Sequence, residues 1–307
     1  MKKNTLIITA ITTAVLLTAC GAKDEKNETT NAEPKEVVET KEVEEKVVAS
    51  LTNPFPEFTN TLPVAEVGAK VFVITDIFNP GNKDEKFENI SCTPILAEAL
   101  AANDKTTKVQ PFSDELEIPN YFVVAIPKNQ TAKKGDIVLA PWHRGESMKR
   151  AIVLDDKDPD QPMVNIIDVD WNNPAKSDKG VGYGQEQIQL SANSFSVISA
   201  PFSPGTTVAI KGETDWNAFT VLNANDENAL VIDKMGKITQ VKKSDCKALE
   251  IIPAVKAGDE VMAPWVGKFI KTTVIKVDQK FGRVYVKHPY NEKEPMIIPF
   301  GSITTSL

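Results

Sequence analysis

Few residues of this chain are of a type that does chemistry. It has two histidines, His143 and His288, and three cysteines, Cys20, Cys92 and Cys246. Hydrolysis by a triad needs a nucleophile, a base and an orienting carboxylate within hydrogen-bond reach, and zinc needs Cys and His at closely spaced ligand positions. His143 directly follows Trp142, whereas His288 stands beside Pro289 and Tyr290, and no CxxC pair is present. Both histidines therefore read as loop residues, and the chain is expected to be no enzyme and to hold neither metal nor cofactor. The carboxylates of DDKDPDQP, from Asp155 to Pro162, lack the glycine and closing glutamate of a calcium loop and read as a solvated turn. KGVGYGQ, from Lys179, leads into a strand and not a helix, so it offers no phosphate cradle.

The remaining signal is a repeat. GDIVLAPW, from Gly135 to Trp142, nearly recurs as GDEVMAPW, from Gly258 to Trp265, and in each copy the aspartate that ends the next strand, Asp155 or Asp278, stands 20 positions after the leading glycine. A weaker copy starts at Gly205 and the most divergent at Gly68, where a long insertion follows the first strand. Short Val-, Ile- and Thr-rich runs between Gly, Asn, Asp and Pro turns predict an all-β chain of small antiparallel barrels without crossover helices. Alternation places Val138, Ala140 and Trp142 on one face and Ile137 and Leu139 on the other. Pro141 and Pro264, which cannot donate to a ladder, put the end of each octet at an edge or bulge. One stretch, TPILAEALAAN, favours a short helix by its Ala and Leu content.

The order Gly-Asp-x-Val-x-Ala-x-Trp, loop, and Val-rich strands resembles the Tudor and agenet group of SH3-like barrels. What the resemblance implies is an aromatic cage, in which ring faces attract a cationic side chain. Carried over by position, the cage of the last unit would comprise Trp265, Phe269 and Tyr290, while Tyr285 falls in the core. The second unit would offer Trp142 and Trp171, with Met148 in place of the second ring, and the third keeps Trp216 alone. A tryptophan closing a small barrel also serves as a lid on its core, so both roles stay open.

The ends of the chain set its surroundings. Lys2 and Lys3 precede an apolar run from Leu6 to Leu17, too short to span a bilayer, and Leu17-Thr18-Ala19-Cys20 resembles the lipobox of bacterial lipoproteins. Residues 1–19 would then be a leader, and Cys20 would carry the lipid that holds the protein to the membrane. Gly21 in the next position implies transfer to the outer membrane, on a side that stays open. Residues 20–62 read as a disordered tether, followed by a divergent unit at 63–130 and further units at 131–200, 201–253 and 254–307. In an oxidising compartment Cys92 and Cys246 become a possible disulfide. Without Lys2 and Lys3 the 35 basic residues fall to 33 against 42 acidic ones, a balance that excludes nucleic acid as partner. An envelope protein, a peptide or a glycan remains as the ligand, with a structural spacer as the alternative and an enzyme whose site lies between units as a second alternative.

Overall fold

Residues that fit a pleated, half-buried backbone alternate with turn formers along this chain, and in the computed structural model they build nineteen strands among the described residues. The structure describes Phe55, Phe58 and residues 64–74, 94–111, 113, 115–142, 147–168 and 187–307. Among these there is no α-helix, and no helix long and apolar enough to cross a membrane. The leader, Cys20, most of the tether, Cys92, His143, Trp171 and the KGVGYGQ stretch lie outside the described residues.

The fold is all-β, made of small antiparallel units with one strand order. In the first, β4 (Leu116–Pro119), β3 (Thr106–Val109), β2 (Ile95–Ala102), β1 (Lys70–Val73) and β5 (Val123–Ala125) lie side by side in that order. The second runs β9 (Gln187–Gln189), β8 (Met163–Ile166), β7 (Ser147–Asp155), β6 (Ile137–Trp142), β10 (Ser196–Val197). The third runs β14 (Ile238–Lys242), β13 (Asn228–Ile232), β12 (Trp216–Ala224), β11 (Thr207–Lys211), β15 (Cys246–Ala248). The fourth runs β19 (Met296–Pro299), β18 (Arg283–Val286), β17 (Lys268–Asp278), β16 (Glu260–Trp265), and Thr304 bridges back to Met262 in place of a fifth strand. In every unit the first strand is thus held between the second strand and the segment that closes the unit.

A shared turn explains why each unit opens on glycine. Gly68, Gly135, Gly205 and Gly258 have φ of 77°, 93°, 84° and 93°, a region costly for any side chain with a Cβ. Each donates its N–H across the unit to a second-strand carbonyl, that of Ala99, Val153, Val221 or Val274, at 2.8 or 2.9 Å. The second strand bulges immediately after that acceptor in all four units. A bulge bends and twists its strand, which curls each sheet toward its own first strand.

β2 corrects the helical expectation for TPILAEALAAN. Ile95, Ala97 and Ala99 are buried and Glu98 is exposed, a period of two. The strand is hydrogen-bonded on both sides, to β1 and β3, and two ladders with one buried face outweigh the few tenths of a kcal/mol per residue that Ala and Leu gain in a helix. Phe55 and Phe58, which the sequence reading placed in the tether, are buried in the core of the first unit, Phe55 meeting Tyr121 and Phe122 edge-on.

Sheets this small are marginal alone, and their outer faces are apolar too. Leu222, Leu230 and Ile238 of the third unit complete the core of the first, where Asn223 also donates to the carbonyls of Tyr121 and Val123. Ile137, Leu139 and Ile152 of the second unit join Val261, Val274 and Ile298 of the fourth, with Phe72 and Ile126 from the first. Between the third and fourth units Ala209 and Leu249 meet Phe269, and Ala218 donates its N–H to Gly267, merging the two into a nine-stranded sheet. The first unit therefore touches the second and third, and the fourth touches both of these.

Candidate functional site

The alternation of the first octet decides the fate of its tryptophan. Val138, Ala140 and Trp142 point into the core of the second unit, among Val153, Val164 and Phe195, and Trp142 is 7% exposed. Ile137 and Leu139, on the opposite face, pack between units together with Met148. Pro141 lies past the last pairing of β6 with β10, so β7 is its sole strand neighbour among the described residues. Trp142 is thus a core lid.

Of the residues carried over to the last unit, Phe269 is also withdrawn from solvent. It lies opposite Pro264 on β17, as Met148 lies opposite Pro141, and is buried where the third and fourth units meet; Trp216 packs against that cluster, half-buried. Tyr285 is half-buried on β18 rather than in the core, with the Lys276 ammonium 5.4 Å from its ring centroid.

Trp265 and Tyr290 do come together, joined by a residue the sequence reading took for a plain loop residue. Trp265 pairs with Lys268 across a two-residue turn, Val266-Gly267, whose φ values of 51° and 84° are both positive, as a type I′ hairpin turn requires. The indole meets the His288 ring edge-on at 4.6 Å between centroids and the Tyr290 ring at 6.4 Å; His288 and Tyr290 are 6.4 Å apart. Between β18 and β19 the His288 Nδ1 accepts the backbone N–H groups of Tyr290 and Asn291, each at 3.0 Å. The imidazole thereby imitates the side-chain carbonyl of an Asx turn and fixes the loop that carries Tyr290, which is 83% exposed. The signal for His288 was present in the sequence HPYN, where a short-range acceptor precedes a proline and two turn residues.

A concave feature lies where the units converge, a cleft of about 800 Å³ whose walls include Phe72, Phe122, Trp142, Lys149, Lys234 and Trp265. Arg150 and Asp168 also line it. Arg150, 6% exposed, pairs with Asp168 at 2.7 Å and donates across the unit boundary to the Phe300 carbonyl and the Ser302 hydroxyl oxygen, both at 2.9 Å. Burial pushes the Asp168 pKa upward, but the charge and hydrogen bonds of Arg150, with Lys149 nearby, outweigh it and hold the carboxyl below its usual range. Ser302 in turn shares a hydrogen bond with Thr207 of the third unit at 2.8 Å. In the reverse sense Arg283 of the fourth unit donates to the Ile166 carbonyl of the second at 2.9 Å. Sequence reasoning missed this network, although a lone arginine inside the apolar strand KRAIVLD was its signal.

The other expectations fall as follows. Cys246 is a free thiol whose pKa is raised by partial burial and by Asp245, while Cys92 lies outside the described residues. Asp155 and Asp156 accept the N–H groups of Lys157 and Lys134 within an ordinary strand connection. Among the described residues no three His, Cys, Asp or Glu side chains converge as a metal site. Set beside known proteins, the chain matches no family model and no curated protein.

Proposed function

We propose that this chain is a lipid-anchored protein of the bacterial envelope that binds a protein, peptide or glycan partner through the Trp265–His288–Tyr290 cluster of its last unit.

 The observation that carries this reading is three rings gathered at one hairpin end, the exposed Tyr290 beside the half-buried Trp265 and His288. Aromatic side chains supply large contact areas at low conformational cost and dominate recognition surfaces. The resemblance to the Tudor group supports a cationic or hydrogen-bonding group seated against them. The anchor rests on the leader and Cys20.

The test compares capture of envelope components by the full chain and by Trp265→Ala, Tyr290→Ala and Met235→Ala, the last altering an exposed apolar residue of the third unit. Capture lost in the first two and kept in the third supports the reading; capture unchanged by Trp265→Ala and Tyr290→Ala overturns it. Protease treatment of the captured material separates a protein or peptide from a glycan. For the anchor, Cys20→Ala should move the protein from the membrane fraction to the soluble one, and retention on the membrane counts against it. A structural-spacer reading is favoured by a different observation, the burial of Trp142 and Phe269 in packing within and between units. It predicts that no substitution at the exposed rings changes any association.

A further inference from the structure

The cleft between the units is separate from the exposed ring cluster: Tyr290 and His288 are absent from its lining, and Trp265 alone borders both. Its volume of about 800 Å³ lies in the range of small-molecule sites, roughly 300–1,000 Å³. Such sites are apolar with a few placed polar groups, and here the apolar part comes from Phe72, Phe122, Leu139, Trp142 and Trp265.

The charges in the cleft have a definite sign. Its cationic side chains are Lys149, Arg150 and Lys234, and its acidic ones Asp168 and Asp233. Both acids are already engaged. Asp168 accepts from Arg150, and Asp233 accepts the N–H groups of Met235 and Lys237 within its own turn. Arg150 is likewise spent on Asp168, Phe300 and Ser302. Lys149 and Lys234 have no ion-pair partner among the described residues. The stem of Lys234 lies against Gly267, where an added Cβ would come within 2.8 Å of its Cδ, so the side chain crosses from the third unit to the wall formed by the fourth. In a chain of net charge −7 this is a locally cationic recess with apolar and polar walls.

We propose that the cleft binds a small amphipathic anion, an apolar body against the aromatic walls with a carboxylate or phosphate head countered by Lys149 and Lys234. The three parts follow from the lining: the apolar residues of the wall favour an apolar body, the two lysines select the sign of the head, and the volume limits the body to small-molecule size. The proposal is independent of partner capture by the exposed rings.

The test uses the full chain and four-arm titration calorimetry with octanoate, octyl phosphate, octyltrimethylammonium and octyl glucoside, all below their micellar concentrations. Saturable binding of one octanoate or octyl phosphate per chain is expected, at least about tenfold tighter than the ammonium or the glucoside, as one charge-assisted contact provides. A preference for octanoate over octyl phosphate, or the reverse, identifies the head group. Lys149→Gln combined with Lys234→Gln should weaken anion binding about tenfold or more. Thr220→Trp, at an exposed position on the cleft lining, should obstruct it. Thermal unfolding of each variant shows that it is folded, and Tyr290→Ala should bind the anion normally while losing partner capture. Equal binding of anion and cation, anion binding unchanged in the double lysine variant, or no saturable binding of either anion overturns the proposal.

Discussion

GDIVLAPW and GDEVMAPW carry the same glycine turn, the same strand and the same terminal tryptophan, yet Trp142 is buried in the core of its unit and Trp265 stands half-buried beside His288 and the exposed Tyr290. The strands themselves do not explain this, since each tryptophan follows a proline at the same register against the second strand. The connections after them differ. Trp142 pairs with Ser147, leaving four residues between, whereas Trp265 pairs with Lys268 across two. The surroundings differ as well, because the loop after β18 brings His288 and Tyr290 to Trp265. A repeated motif therefore specifies a backbone, and what its last side chain does is decided by the loops around it.

The largest expected effect follows from this contrast. Trp142→Ala removes a buried indole and should destabilise the protein by about 3–5 kcal/mol. Trp265→Ala removes a partly exposed one and should cost about 1–2 kcal/mol. Urea unfolding of the two variants measures the difference, and equal losses would show that the two tryptophans share one role.

The same octets show how far the sequence could be read. The all-β class was legible because alternation and turn residues are local: Val138, Ala140 and Trp142 on one face, Ile137 and Leu139 on the other, as the two clusters show. β2 was misread because its helix-favouring alanines are local, while the two ladders that hold it as a strand come from distant segments. For the site, Trp265 and Tyr290 were named together, but Phe269 was placed beside them because a register position does not say which face another unit will cover. Arg150 went unnoticed for a related reason. Its partners Phe300 and Ser302 lie about half the chain away, and nothing near it in sequence reports them.

Arg150 gives the comparison a second edge. It lies opposite Leu139, the octet position filled by Met262 in the last unit, where Lys271 is its counterpart. Lys271 pairs with Glu260 at 2.8 Å, both side chains well exposed. Removing that pair with Lys271→Gln should change stability by less than about 1 kcal/mol. Asp168→Asn instead leaves the buried Arg150 without its counter-charge and should cost about 3 kcal/mol. The pH dependence has a fixed sign. Because the folded pKa of Asp168 is depressed, its contribution is complete above the unfolded value of about 3.9 and is lost as pH falls through the lower folded value. The wild-type chain should lose stability over that acid window, and Asp168→Asn should flatten this part of the profile. A parallel acid profile in wild type and variant would assign the acid sensitivity elsewhere.

The smallest effect concerns the two-residue turn that follows the second octet. Val266 is β-branched, 58% exposed and held at φ 51°, a region in which its Cβ crowds the following carbonyl at a cost of about 1–2 kcal/mol. Asparagine tolerates this conformation, and Asn-Gly is a favoured pair for a type I′ turn. Val266→Asn should therefore stabilise the protein by about 0.5–1 kcal/mol and raise Tm by roughly 2–4 °C per kcal/mol for a chain of this size. The turn keeps its two-residue length, so Trp265 should stay against His288 and partner capture should be unchanged. If instead the variant is more stable but no longer captures the partner, Val266 itself is a contact, and its strained backbone belongs to the recognition surface rather than to the hairpin alone.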